Sequence, residues 1–171
     1  MYDIPIERLI PQRPPFVLVD GIKEHETAVT KAHFLIPKDH ILIEHGKLSA
    51  YGLLENMAQA AALRSGYESL EKGENPKTGF IGTITNAIVH ALPEAGTEVI
   101  TTVHQTNQIL NFILIECTAK SGDLVLAECA MKIVLWIELL LPCPILNKLF
   151  PAEIILLAQY NNLIKLFCKN G

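Results

Sequence analysis

Glu55 and Gln59 stand four residues apart inside Leu48–Gly66, a stretch otherwise made almost entirely of apolar side chains. Four residues is one turn of helix, so the two side chains share a face. A carboxylate surrounded by apolar groups is costly to ionise. It therefore keeps its proton to higher pH, or it is retained for proton transfer. Asn56 lies beside them and adds a third polar group to the same run. A plainer reading stands next to the chemical one: Glu55 pairs with an arginine, and Gln59 bonds a neighbouring strand.

The element that positions these groups is a helix of four to five turns, about 25 Å long at 1.5 Å per residue. Ser49 suits the N-cap, Gly66 suits the position just past the C-terminus, and Arg64 suits the last turn, where a cation complements the dipole. Leu53, Leu54, Met57, Ala58, Ala60, Ala61, Ala62 and Leu63 cover every side of the cylinder. A helix with no solvent face is expected to be buried all round.

The chain has 171 residues, half of them hydrophobic and 19% charged, which suits one domain with a substantial core. A net charge of −4 and the lack of a basic cluster argue against a nucleic-acid binder. The first residues lack the layout of a signal peptide, and prolines interrupt the apolar C-terminal stretch short of a membrane span. Cys117, Cys129, Cys143 and Cys168 show no Cys-x-x-Cys spacing and read as free thiols, so cytoplasm is the expected compartment. His33, His40, Glu44 and His45 have no helical His-x-x-x-His pair among them, and no metal site is expected.

Along the chain, prolines keep residues 5–15 irregular apart from a short turn at Ile6–Ile10. Phe16–Ile22 and Thr27–Ile36 read as strands, and Lys38–Lys47 is a loop carrying His40 and His45. Tyr67–Lys77 reads as a solvated connection. Four long strands follow, at Phe80–Leu92, Thr97–Thr106, Ile109–Ala119 and Leu124–Leu135, with turns at 93–96, 106–108 and 120–123. A curved antiparallel sheet around one apolar helix satisfies this order. Arg13 is expected to anchor the N-terminal loop by an ion pair to Asp20. His90 and His104 are expected at the surface or an edge. Residues 136–171 form an apolar extension, compatible with packing on the domain, covering a dimer surface, peripheral attachment or an aberrant end.

Three stretches together resemble the β-hydroxyacyl-acyl-carrier-protein dehydratases of the hotdog fold. They are Leu9-Ile-Pro-Gln-Arg-Pro-Pro-Phe-Val-Leu-Val-Asp20, Gly52-Leu-Leu-Glu-Asn-Met-Ala-Gln-Ala-Ala-Ala62, and Thr78-Gly-Phe-Ile-Gly-Thr-Ile84 with Leu92-Pro-Glu-Ala-Gly-Thr-Glu-Val99. The variant Glu-Asn-Met-Ala-Gln with Gly-Phe-Ile-Gly is similar to the dehydratase-like proteins of aryl-polyene and flexirubin-type pathways. The resemblance implies an α+β hotdog domain over residues 1–135, a curved antiparallel sheet wrapped around one long central helix.

It also places Glu55 on the family's catalytic acid. The family's Gly-His-Phe-Pro motif is absent; His40 lies 15 residues before Glu55, one more than the family's spacing, and His45 lies 10 before. His40 is the favoured base and His45 the alternative. In the implied reaction, histidine removes the C2 proton of a 3-hydroxyacyl thioester and Glu55 protonates the departing C3 hydroxyl. Gly52 leaves room for the thioester at the helix N-terminus, and Gln59, Gly79, Phe80 and Gly82 are expected to meet the acyl chain or pantetheine. The family's site forms between two protomers, which implies a homodimer or a pairing with a related hotdog subunit, and an acyl carrier protein as partner. No cofactor is required. A non-catalytic partner subunit and a hotdog acyl thioesterase are the alternatives.

Overall fold

A computed structural model describes residues 3–77 and 79–135. The expectations for Thr78, Cys143, Cys168 and the extension over 136–171 fall outside the described residues. A 3₁₀ turn at Ile6–Arg8 leads into strands β1 (Gly21–His25) and β2 (Val29–Leu35). A small hairpin follows, β3 (Ile43–Glu44) with β4 (Lys47–Leu48), and then helix α1 (Ala50–Glu71). Strands β5 (Gly79–Val89), β6 (Glu98–Ile109), β7 (Phe112–Ser121) and β8 (Leu124–Leu135) complete the described chain. Six strands make one antiparallel sheet in the order β1-β2-β6-β7-β8-β5. This is the α+β hotdog arrangement.

Alternation along the strands gives the sheet one apolar face, since successive side chains point to opposite sides. Thr30, Ala32 and Phe34 of β2, Val99, Thr101 and Val103 of β6, and Ile115, Cys117 and Ala119 of β7 are all buried. Helix α1 packs against this sheet and buries Leu53, Leu54, Met57, Ala60, Ala61 and Leu63. Each fully buried leucine contributes about 2 kcal/mol, so the helix is held by its core contacts rather than by its own propensity. Cys117 and Cys129 face each other across β7 and β8 as free, buried thiols.

The helix is longer than its sequence signals implied. Ser49 is the N-cap, its Oγ accepting the Gly52 N–H at 3.2 Å. The C-terminus lies at Glu71, not before Gly66. Gly73 (φ +70°) takes the left-handed position, and the Gly73 and Glu74 N–H groups bond back to the carbonyls of Leu70 and Ser69. That is a Schellman cap, and it converts the first part of the supposed Tyr67–Lys77 connection into helix. Gly66 serves packing instead. A Cβ there would lie 2.1 Å from the Leu9 carbonyl oxygen, so glycine lets the N-terminal turn rest on the helix.

Arg64 consequently sits inside the helix and serves no terminal role. It is buried, and donates to Thr30 Oγ1 at 3.0 Å and to the Thr27 carbonyl at 2.7 Å while pairing with Glu68. These contacts tie the helix to the β1–β2 turn. Arg13 does not pair with Asp20 either. Its guanidinium donates to the backbone carbonyls of Ile10, Gln12 and Glu7, while Asp20 Oδ2 accepts the Leu35 N–H at 2.7 Å. Between β6 and β7 the turn falls at Leu110–Asn111 rather than 106–108. A register shift between Gln105 and Asn107 lets the polar run stay within the strand.

Candidate active site

The polar residues of α1 divide by what they touch. Asn56 donates to the Leu18 carbonyl at 2.6 Å and accepts from Thr101 Oγ1. Gln59 accepts the Leu18 N–H at 2.8 Å and donates to the Phe16 carbonyl at 2.7 Å. The two amides thus do for residues 16–18 what a neighbouring strand would do. This explains why regular β1 begins at Gly21 and not at Phe16. Leu18 and Val19 are fully buried beside the helix, where unpaired backbone groups would be expensive.

Glu55 is what remains after this structural work is assigned. Among the described residues no arginine pairs with it; its bonded neighbour is Gln59, whose Nε2 donates to Glu55 Oε1 at 2.8 Å. Burial pushes the carboxyl pKa from 4.5 up to about 6, and the Gln59 hydrogen bond holds it from rising further. A carboxyl in that range exchanges its proton near neutral pH, which suits general acid–base work.

The structure separates the two candidate histidines. His45 is exposed at the tip of the β3–β4 hairpin, at φ +52° and followed by Gly46 at φ +79°. Two successive residues with positive φ make the tight turn a two-residue hairpin needs, so His45 is accounted for by the loop. His40 is half-buried, with its ring edge-on to the buried Phe34 ring, centroids 6.1 Å apart. Its Nδ1 accepts the Leu42 N–H at 3.2 Å, and its Nε2 is buried with no hydrogen-bond partner among the described residues. No hydrogen bond or ion pair joins His40 to Glu55 among those residues.

The remaining site candidates fall in two places. Gly52 lies in the first turn of α1 under the Leu48 side chain, whose Cδ1 would meet a Cβ there at 2.5 Å. Its close approach is therefore made by Leu48, and its N–H is bonded to Ser49. Gly79, Phe80 and Gly82 lie on β5, which among the described residues is a sheet-edge strand bonded to β8 alone. Gly82 falls where the register shifts between Ile81 and Thr83, with Val134 Cγ2 3.3 Å from its missing Cβ. No three His, Cys, Asp or Glu residues gather to hold a metal among the described residues.

A family model described as ApeP dehydratase, ApeP-like, matches residues 4–136, well over half of the chain. The chain belongs to the ApeP-like dehydratase family. Among solved structures, the ApeP-like chain resembles the dehydratase heterocomplex ApeI:P from Xenorhabdus doucetiae, with a TM-score of 0.74 at 17% identity, covering 81% of this chain and 95% of that one. It also resembles the PaaI protein of E. coli (TM-score 0.55, 12% identity, 67% and 81% covered). Uncharacterised protein PH1136 from Pyrococcus horikoshii is similar too (TM-score 0.59, 13% identity, 78% and 95% covered). At such identities these likenesses establish the hotdog fold. No curated protein sequence matches the chain.

Two contributors to this candidate site carry no signal in the sequence. The Leu42 N–H that orients His40 is a backbone group, available at almost any residue type. The backbone of residues 16–18, which accepts one Gln59 amide hydrogen and donates to its oxygen, is equally invisible to residue type. His90 and His104 are exposed, and His90 pairs with Glu128 at 3.0 Å, away from these groups in bonding terms. Among the described residues, no helix is long and apolar enough to cross a membrane.

Proposed function

We propose that the protein dehydrates 3-hydroxyacyl thioesters carried on an acyl carrier protein to trans-2-enoyl thioesters, in fatty-acid or polyene-type biosynthesis. Glu55 and His40 are the groups on which the reaction rests. The observation that carries this reading is Glu55 itself, with its pKa lifted by burial to about 6 and its orientation fixed by Gln59. The family's description as a dehydratase supports it. The reaction is redox-neutral and eliminates water, so it calls for no cofactor. Cytoplasm remains the proposed compartment.

A second hotdog subunit belongs to this proposal. Strand β5 ends the sheet and carries Gly79, Phe80 and Gly82, the residues proposed to line the acyl path. An added strand from another subunit would satisfy that edge. The heterocomplex nature of ApeI:P supports a related subunit as the partner alongside a second copy. Lys38 and Lys47 are both exposed in the segment around His40, and are proposed to meet the acidic carrier protein.

The deciding assay follows enoyl absorbance and free thiol together on 3-hydroxyacyl thioesters of several lengths. The expected result is enoyl product without thiol release, lost in His40→Ala. In Lys38→Glu/Lys47→Glu, KM for the carrier-bound substrate should rise about tenfold with kcat kept, because rim charges act on encounter. Thiol release without enoyl would make the protein a thioesterase. No product from a folded wild type would favour a supporting subunit, a reading that the missing Gly-His-Phe-Pro motif and the heterocomplex relative both favour.

A further inference from the structure

His25 closes a hydrogen-bonded chain where the end of β1 meets the C-terminal half of α1. The buried Arg64 donates to Thr30 Oγ1 at 3.0 Å and to the Thr27 carbonyl at 2.7 Å. A guanidinium N–H can only donate, so Thr30 Oγ1 is the acceptor. Thr30 is fully enclosed, and its own hydroxyl proton has His25 Nδ1 within reach at 2.8 Å. Accepting it takes the lone pair of Nδ1 and puts the single proton of the neutral ring on Nε2, facing Glu71 Oε2 at 3.8 Å. The opposite tautomer would turn a lone pair toward that carboxylate. It would also leave the Thr30 proton enclosed with no acceptor among the described residues, which is costly. The Tyr67 ring stands edge-on to the imidazole with centroids 4.6 Å apart, and the His25 side chain is only 10% exposed.

We propose that His25 is an acid-released latch: neutral, it holds the β1–β2 turn on α1 through Thr30 and Arg64, and protonated, it lets that turn go. A proton on Nδ1 removes the acceptor of the Thr30 hydroxyl. The new Nδ1–H then competes with the Arg64 N–H for one oxygen, and two cations converge on it. From α1, Arg64 opposes a protonated ring, while Glu71 and Glu68 favour it. From the strands, Lys31 of β2 is tied to Glu24 of β1 at 2.6 Å, and Glu26 in the turn meets Arg64 through its backbone carbonyl at 3.4 Å. Burial and the Arg64 charge outweigh the two carboxylates, so the folded-state pKa of His25 lies below 6.5. The folded protein therefore binds this proton less tightly than the unfolded chain does. The stabilisation is complete above pH 6.5 and is lost as pH falls through the folded-state value, the reverse of Glu55. Acid thus loosens one part of α1 while favouring the protonated carboxyl in another.

The test combines amide hydrogen exchange with an NMR titration of the His25 ring, on the ¹³C,¹⁵N-labelled full chain in its native assembly. At pH 8 the ring should show Nε2 protonated and Nδ1 carrying the lone pair. The pH is then lowered until the ring nitrogens report protonation. Over that step the Glu26 and Val29 amides, which bond each other's carbonyls across the turn, should exchange about tenfold or more faster after correction for intrinsic rates. The amides of β7 should keep their protection. Asparagine offers an oxygen to the Thr30 proton and has nothing to protonate, so in His25→Asn the turn should stay protected over the same range. Nδ1 protonated at pH 8, or a protonated His25 with unchanged exchange at Glu26 and Val29, overturns the latch. So does a loss of β7 protection at the same step, or an equal loss at the turn in a folded His25→Asn.

Discussion

Replacing Glu55 with glutamine should make the protein more stable at pH 8 and remove its activity. Burial raises the folded-state pKa of Glu55 from 4.5 to about 6, so the folded protein binds this proton more tightly than the unfolded chain does. That preference contributes fully below pH 4.5 and is lost as pH rises through about 6. Above pH 6 the wild type therefore lacks a stabilisation of about 2 kcal/mol, from 1.36 kcal/mol per pKa unit. Glutamine cannot ionise and can still accept the Gln59 bond. Glu55→Gln should thus unfold at higher denaturant than wild type at pH 8, with the difference largely gone at pH 4.5. Enoyl formation should fall by about 100- to 10,000-fold, the range for a lost general acid–base group. An equal difference in stability at both pH values would show that burial does not set the proton affinity of Glu55.

Gly66→Ala should destabilise the protein by about 3 kcal/mol, against the usual sign for this exchange. In an exposed helix interior, alanine is better than glycine by about 1 kcal/mol. Here the new methyl carbon would stand 2.1 Å from the Leu9 carbonyl oxygen, which belongs to backbone and cannot rotate away. Either the 3₁₀ turn lifts or the helix shifts, and both disturb a close-packed contact that includes the buried Leu9 and Ile10. Equilibrium unfolding in urea measures the effect. A variant as stable as wild type would mean that the N-terminal turn does not rest on the helix in solution.

The sequence is most readable where one local signal decides the outcome. Leu124–Leu135 matches β8 end to end because Lys120-Ser-Gly-Asp123 announces the hairpin and alternation does the rest. The alternation of Val29, Lys31 and His33 against Thr30, Ala32 and Phe34 likewise reports the buried face of β2. Readings failed where two residues far apart in sequence settle a local matter. Gly66 resembles a helix terminator, yet its reason is Leu9, some 57 residues earlier by subtraction of their numbers. Phe16–Leu18 has strand composition, yet the Phe16 carbonyl and both backbone groups of Leu18 bond to the side chains of Asn56 and Gln59. Arg13 and Asp20 have opposite charges, yet each is satisfied by backbone before the two could meet. At the candidate site, Glu55 was legible as a carboxylate in an apolar helix. His40 and His45 were not distinguishable by spacing; what divides them is a hairpin turn and a backbone amide.

Gln59 donates one amide hydrogen to the Phe16 carbonyl and the other to Glu55, while its oxygen accepts the Leu18 N–H, so both of its donors are committed. A junction loaded in this way makes its branches thermodynamically reciprocal. Whatever alters the charge on Glu55 also alters the hold on residues 16–18, and by the same free energy in reverse. Anchoring of the chain's N-terminal segment and the acid strength of the site are two readings of one equilibrium. Substitutions near Phe16 can therefore retune the acid without touching it.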